Sequence, residues 1–341
     1  MRGLMQTLMC TNPGSFEYRQ DEIKKPVAGE SLLRIKCIGI CGTDLHAYEG
    51  TQPYFNYPRI LGHELSAEFV EGDAEGFTAG DLVTIIPYFY CGKCIACRNG
   101  KTNCCVNIIV CGVHDDGGMR EYFTVPSYSL LHSEGLHADA LALTEPLAIG
   151  AHAVRRASIK TGEYVLVIGA GPIGLGIMEF VKIAGATVIA MDVNKNRLSF
   201  CKEKLNVPFV IDGSSENIIE QLQQITSGDM PTTVFDATGN LGAINSAFSY
   251  IAHGGKYVLV GLQKGDISFS HPEFHKREAT LMSSRNATKE DFNHVIRHLK
   301  NGDINPAHYI THRVSFNEVK NNFDSWLKPE TGVIKAMISF E

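Results

Sequence analysis

Four cysteines, Cys91, Cys94, Cys97 and Cys105, fall inside one short stretch, CGKCIACRNGKTNCC. Three thiols two residues apart, then a fourth after seven more, can close a tetrahedral thiolate cage around one Zn2+. A redox pair needs only two cysteines, and a disulfide framework would scatter them through a short secreted chain. Gly92, Lys93, Arg98, Gly100 and Lys101 keep the segment polar and turn-rich, so it has no core of its own and metal ligation is what orders it. Cys104 adjoins Cys105, and either can be the fourth ligand; the seven-residue spacing favours Cys105.

A second pattern, Gly169-Ala170-Gly171-Pro172-Ile173-Gly174, follows the apolar run YVLVI and opens a helical one. Gly169 permits the tight turn, Gly171 lets a pyrophosphate approach the backbone, and Gly174 lets helix pack closely on strand. The helix start adds exposed amides for the phosphates. Such glycines often serve packing alone, but Asp192 ends the next strand, where a carboxylate accepts both adenosine ribose hydroxyls and repels a 2′-phosphate. Lys195 and Arg197 argue for NADP; the carboxylate outweighs them and NAD is the expected cofactor.

Cys41-Gly42-Thr43-Asp44-Leu45-His46 and Gly62-His63-Glu64 carry the remaining chemistry. A catalytic zinc takes about three protein ligands and keeps one position open. Cys41 and His63 supply a thiolate and an imidazole, and Glu64 or Glu145 (in TEPLAIGAHA) a carboxylate. Taken singly, each has a plainer explanation: a core thiol, a turn histidine, a carboxylate at a helix start. Their occurrence beside the cysteine cluster and the dinucleotide pattern makes the metal reading the stronger one. The expected metal content is two zincs, one catalytic and one structural.

These residues must be positioned by two kinds of domain. Up to about residue 150, short β-like runs (SLLRIKCIGI, AEFVEG, DLVTIIPYF, REYFTVP) are broken by Gly and Pro. Then strand and helix alternate: YVLVIGAG, PIGLGIMEFVKIAGA, TVIAMDV, NKNRLSFCKEKLN, FVID, SENIIEQLQQITSG, TTVFDATG, KYVLVGL. That rhythm builds a doubly wound parallel sheet. From about residue 286 it stops. EDFNHVIRHLKNGD and SFNEVKNNFDSWLK read as surface helices, and VIKAMISFE as a closing strand. The expected division is a β-rich domain over 1–150, rejoined by 286–341, with a nucleotide-binding domain over 151–285 between them.

Composition agrees. A chain of 341 residues, 44% hydrophobic and 20% charged, is long enough for two well-cored domains. A net charge of −6 gives no footprint for nucleic acid or an anionic membrane. No apolar run reaches the roughly 18 residues of a membrane span, and the N-terminus lacks a signal-like apolar region. Ten cysteines without an export signal point to the cytoplasm. Cys10, Cys37, Cys111 and Cys201, among apolar neighbours, read as core residues.

ICGTDLH, YPRILGHE, the cysteine lobe, DGGMREY, TEPLAIGAHA, VIGAGPIGL and HGGKYVLVGL, in that order, make the chain resemble the zinc-dependent medium-chain dehydrogenase/reductase family over essentially its whole length. The resemblance implies an α/β fold with a GroES-like β-rich catalytic domain and a Rossmann domain. It also implies NAD-dependent oxidation of an alcohol. Cys41, His63 and a carboxylate would hold the catalytic zinc, with Glu64 a mobile or alternative ligand and Glu145 a comparable one. Asp44 would orient His63, and Thr43 and His46 would relay the proton. Arg197 would help hold the ribose, Val260, Gly261 and Leu262 would line the cofactor site, and Ser284 and Arg285 would lie near the nicotinamide. Family members are commonly homo-dimers or homo-tetramers.

Within the family, the stretches around Tyr54-Phe55, His114-Asp115 and Pro272 to Asn286 are similar to the bacterial L-galactonate 5-dehydrogenase group of sugar-acid enzymes. Ala47 stands where sorbitol dehydrogenases carry a tyrosine. A sugar acid brings a carboxylate, which Arg285 can clamp through two parallel hydrogen bonds; Asn286, His114 and Lys276 are weaker candidates. The alternatives are a polyol or L-threonine dehydrogenase, and a non-enzymatic relic of the family.

Overall fold

The computed structural model describes residues 3–52 and 55–340. It divides the chain into two compact units, one formed by the residues up to Pro146 and from Thr288 onward, the other by Leu147–Ala287. No helix among the described residues is long and apolar enough to cross a membrane.

In the first unit, strand Glu30–Gly39 is the centre of a seven-stranded sheet. It pairs antiparallel with Glu64–Gly72, Tyr122–Pro126 and Lys335–Ser339. A strand covered on both sides must be apolar on both faces, and Leu32, Leu33, Ile35, Cys37 and Ile38 are all buried. Through Lys335–Ser339, a segment late in the chain joins the sheet built on Glu30–Gly39: Met337 faces Gly39 and Ile338 faces Ile38. Helix Lys289–Asn301 buries Phe292, Val295, Ile296 and Leu299, the spacing of one helical face. A Thr288/Asp291 capping box starts it and Gly302, at φ 78°, ends it. Helix Val319–Trp326 buries Val319, Phe323 and Trp326. Both are surface helices, each burying one apolar face and leaving the other exposed. A hairpin, Leu4–Asn12 with Ser15–Glu22, adds a smaller sheet.

The second unit is a six-stranded, all-parallel sheet in the order Phe209–Asp212, Thr187–Asp192, Tyr164–Ile168, Thr233–Asp236, Lys256–Leu259, Thr280–Ser283. Val165, Leu166, Val167, Val188, Ile189, Ala190, Val234 and Phe235 are wholly buried, as expected of strands sheathed by helices on both faces. The chain runs outward to one side of Tyr164–Ile168 and then to the other. That reversal opens a crevice at the carboxyl ends of the strands, where α/β sheets bind ligands.

Candidate metal centres and cofactor site

The strand Glu30–Gly39 ends at Ile40, and Cys41 then caps helix Gly42–Glu49. Asp44, almost wholly buried, explains why Cys41 and His63 meet. Its carboxylate accepts from the backbone N–H of Cys41 at 2.9 Å and of Gly62 at 3.1 Å, tying two loops together. As a result Cys41, His63 and Glu64 each place a ligand atom within 4.8 Å of the others. Asp44 is also the charge partner expected for His63: its Oδ1 stands 3.7 Å from His63 Nδ1 while both its oxygens accept from the backbone amides. His63 Nδ1 is buried with no hydrogen-bond partner, a costly arrangement unless a ligand completes it. Burial presses the imidazolium down, but the Asp44 carboxylate and Cys41 outweigh it and hold its pKa well above the ordinary value. An orphaned ring nitrogen in a pocket that favours positive charge fits a cation held by thiolate, imidazole and carboxylate.

Two further charges complete this region. Glu64 is fully buried, and Lys335 Nζ, also buried, lies 2.6 Å from each of its oxygens and 3.0 Å from the Ile40 carbonyl. Gly39 faces Glu64 in the sheet register, and a Cβ there would sit 2.1 Å from Glu64 Oε2, so only glycine leaves room for the pair. Glu145, in the first turn of helix Thr144–Ala157, is likewise buried and accepts a hydrogen bond from the Tyr88 hydroxyl. Burial pushes its carboxyl up to about 7. It stands outside the Cys41, His63, Glu64 trio.

Thr43 and His46 are one turn apart on helix Gly42–Glu49. Thr43 is half-buried; His46 is exposed, its Nδ1 3.4 Å from Glu49 and 3.3 Å from Thr51 Oγ1.

In the lobe, Cys91, Cys94, Cys97 and Cys105 bring their sulfurs within 4.8 Å of one another, while Cys104 is exposed and outside the group. The backbone N–H groups of Cys97 and Val106 turn towards Cys94 and lower its pKa to about 6. A cage of thiols whose amides favour thiolate fits a closed tetrahedral metal. The short helix Ile95–Arg98 and the 3-10 turn Thr102–Cys104 are its regular structure. Cys10, Cys37, Cys111 and Cys201 are buried.

The second unit holds a cavity of about 510 Å3 at the carboxyl ends of its strands, lined by Gly169, Gly171, Asp192, Arg197, Thr238 and Asn240 among others. Gly169 has φ 95°, and a Cβ on Gly174 would meet its carbonyl at 1.8 Å. A Cβ on Gly171 would meet nothing within 4 Å, so the loop leaves open space in front of its amides. Pro172 and Ile173 open the helix that follows. Asp192 accepts from Ala170 N at 2.6 Å and Asn194 N at 2.8 Å, bracing the glycine loop against the strand tip. This cradle fits a dinucleotide.

Two family models match the chain: the alcohol dehydrogenase GroES-like domain over residues 27–134 and the zinc-binding dehydrogenase over 172–301. The L-galactonate-5-dehydrogenase of Escherichia coli K12 is 45% identical over 338 residues, 98% of this chain and 99% of that protein. The chain belongs to the zinc-binding alcohol dehydrogenase family. The 2-dehydro-3-deoxy-L-galactonate 5-dehydrogenase of Pseudoalteromonas atlantica is 32% identical, covering 87% of this chain and 88% of that protein. Among solved structures, an alcohol dehydrogenase of E. coli CFT073 complexed with NADH superposes with a TM-score of 0.92 at 29% identity, covering 99% of both chains.

As a zinc-binding alcohol dehydrogenase, the chain acts on small molecules. Gly261 packs on Gly239, and Val260 and Gly261 donate to the Asp236 carbonyl; Leu262 is exposed. Ser284 is buried with an unpartnered hydroxyl. Arg285 is exposed and Asn286 has φ 53°. His114, exposed, accepts from Val110 N at 3.0 Å, and Lys276 is exposed. Tyr54 lies outside the described residues. Sequence reasoning passed over Lys335 and Tyr88. A lysine inside the apolar strand VIKAMIS was a usable signal for the first; a tyrosine in an apolar run gave none for the second.

Proposed function

We propose that the chain oxidises a secondary hydroxyl of a C6 sugar acid, with L-galactonate the first candidate and NAD the hydride acceptor. The observation that carries the substrate class is the relatedness to an L-galactonate-5-dehydrogenase along nearly all of both chains. NAD rests on Asp192, whose carboxylate disfavours a 2′-phosphate, and on the NADH held by a relative of the same fold.

In this reading residues 1–150 and 286–341 form the zinc-binding catalytic domain, and 151–285 the NAD-binding domain. Zinc bound at Cys41 and His63 would supply a Lewis acid that lowers the pKa of a hydroxyl, and the nicotinamide would supply the hydride acceptor. Cys41 and His63 would hold the zinc, with Glu64 or Glu145 as the third donor. Thr43 takes the hydroxyl proton and passes it to His46, whose exposed ring hands it to solvent. Asp192 and Arg197 hold the ribose, Ser284 lies by the nicotinamide, and Arg285 pairs with the substrate carboxylate. Ten free cysteines suit a reducing cytoplasm, and a homo-dimer or homo-tetramer is the expected assembly.

NAD reduction measured over L-galactonate, L-gulonate, other aldonates, sorbitol and L-threonine tests the assignment. The highest kcat/KM should fall on an aldonate, with NAD preferred to NADP. Faster turnover of sorbitol or L-threonine than of every aldonate overturns it.

A further inference from the structure

Glu64 is grouped with Cys41 and His63, Glu145 lies within electrostatic reach of His63 and Glu64, and each of these buried glutamates is engaged differently. Lys335 takes both oxygens of Glu64. Tyr88 engages a single oxygen of Glu145, Oε1. We propose that Tyr88 is a positioning residue of the metal centre: its hydroxyl fixes Oε1 of Glu145 so that the other oxygen is presented to the metal. The proposal rests on the metal-centre reading above.

Tyr88 is 3% exposed and Glu145 4%, so water cannot substitute for either partner and each must satisfy the other. A phenol donates one proton, and a carboxylate that has accepted it on one oxygen keeps the second for another cation. The phenol is itself held. Its strand, Tyr88–Phe89, pairs with Ile109–Val110, and its ring meets that of Phe292 edge-on at 6.2 Å. The pair also lies within electrostatic reach of the ligand set. Glu145 feels the charges of His63 and Glu64, and Tyr88 those of Cys41 and Glu64. Hydrogen-bond partners of metal ligands fix ligand orientation, and their loss typically weakens metal binding by about 10–100-fold.

The test uses the zinc-loaded enzyme and three variants, Tyr88→Phe, Glu145→Gln and the double. Two readouts apart from turnover are followed: zinc release to a chromogenic chelator, and the visible absorption of the protein with Co2+ at the catalytic site. Retention of the lobe zinc and of NADH binding checks the fold. Tyr88→Phe should release the catalytic zinc about 10–100-fold faster and shift the cobalt bands. The double variant should go no further than the larger single one, because Tyr88 acts only through Glu145. A wild-type release rate and spectrum in Tyr88→Phe overturns the proposal, as does additivity in the double variant. Should Tyr88→Phe not fold, Glu145→Gln decides alone: unchanged release and spectrum also overturn it. Failure of the metal-centre reading looks different, since Cys41→Ser would then keep both zincs.

Discussion

The cysteine lobe and the Cys41, His63, Glu64 site gather metal-binding side chains in the same unit, yet they are assembled in different ways. The lobe draws all four donors from residues 91–105 and supports them with its own backbone amides. The other site draws donors from two loops and keeps them in place with residues from far along the chain. Asp44 bridges the loops, and Lys335, 271 positions away, neutralises Glu64. A closed thiolate cage needs only a local turn and offers no place for substrate. A site that leaves a position open must hold unsatisfied charge in a buried place, and only the completed fold can do that.

Substitutions should therefore fall into two classes. Cys41→Ser or His63→Ala should reduce turnover to background and remove one zinc while thermal stability and NADH binding stay near wild type. Cys97→Ser should instead remove the other zinc and lower Tm by on the order of 10 °C. If both classes lost Tm and turnover alike, in differential scanning fluorimetry and steady-state assays, the contrast would be broken.

The buried ion pair sharpens the same point. Lys335→Met strands the Glu64 carboxylate in a buried site, and unfolding free energy should drop by about 3–5 kcal/mol in a urea titration. Adding Glu64→Met should recover most of that loss, since an apolar pair of similar volume replaces two charges. A single variant as stable as wild type would mean that Glu64 finds another partner. His46→Ala should have the smallest effect. Its ring is exposed, so water can stand in for it, and turnover should fall by about tenfold at neutral pH and less at high pH. A flat ratio to wild type across pH would take His46 out of the relay.

What could be read from the chain follows the same line between local and long-range order. The cysteine spacing and the glycine loop with Asp192 were legible because each motif closes within a few tens of residues. Five of the six parallel strands were legible because each carries a short apolar run; the edge strand Thr280–Ser283, with Thr280, Leu281 and Ser283 exposed, was not. The hairpin Leu4–Asn12 with Ser15–Glu22 escaped notice, although Pro13 and Gly14, at φ 71°, mark its turn. Helix Gly42–Glu49 carries no apolar stripe; it is set by its cap and by Asp44. Asp44 stands beside His63, as the sequence led one to expect, but its second task, accepting from the amides of Cys41 and Gly62, was not legible. Lys335 on Glu64 and Tyr88 on Glu145 join residues that only the sheet register and the helix start bring together.

Stepwise removal of zinc by a competing chelator, with metal release and turnover followed in the same sample, tests the two-site account most directly. Zinc should leave in two phases. The first, about one equivalent from the open site, should carry away all NAD-linked turnover with the circular dichroism unchanged; the second should coincide with loss of structure. A single phase, or loss of structure ahead of turnover, would contradict it.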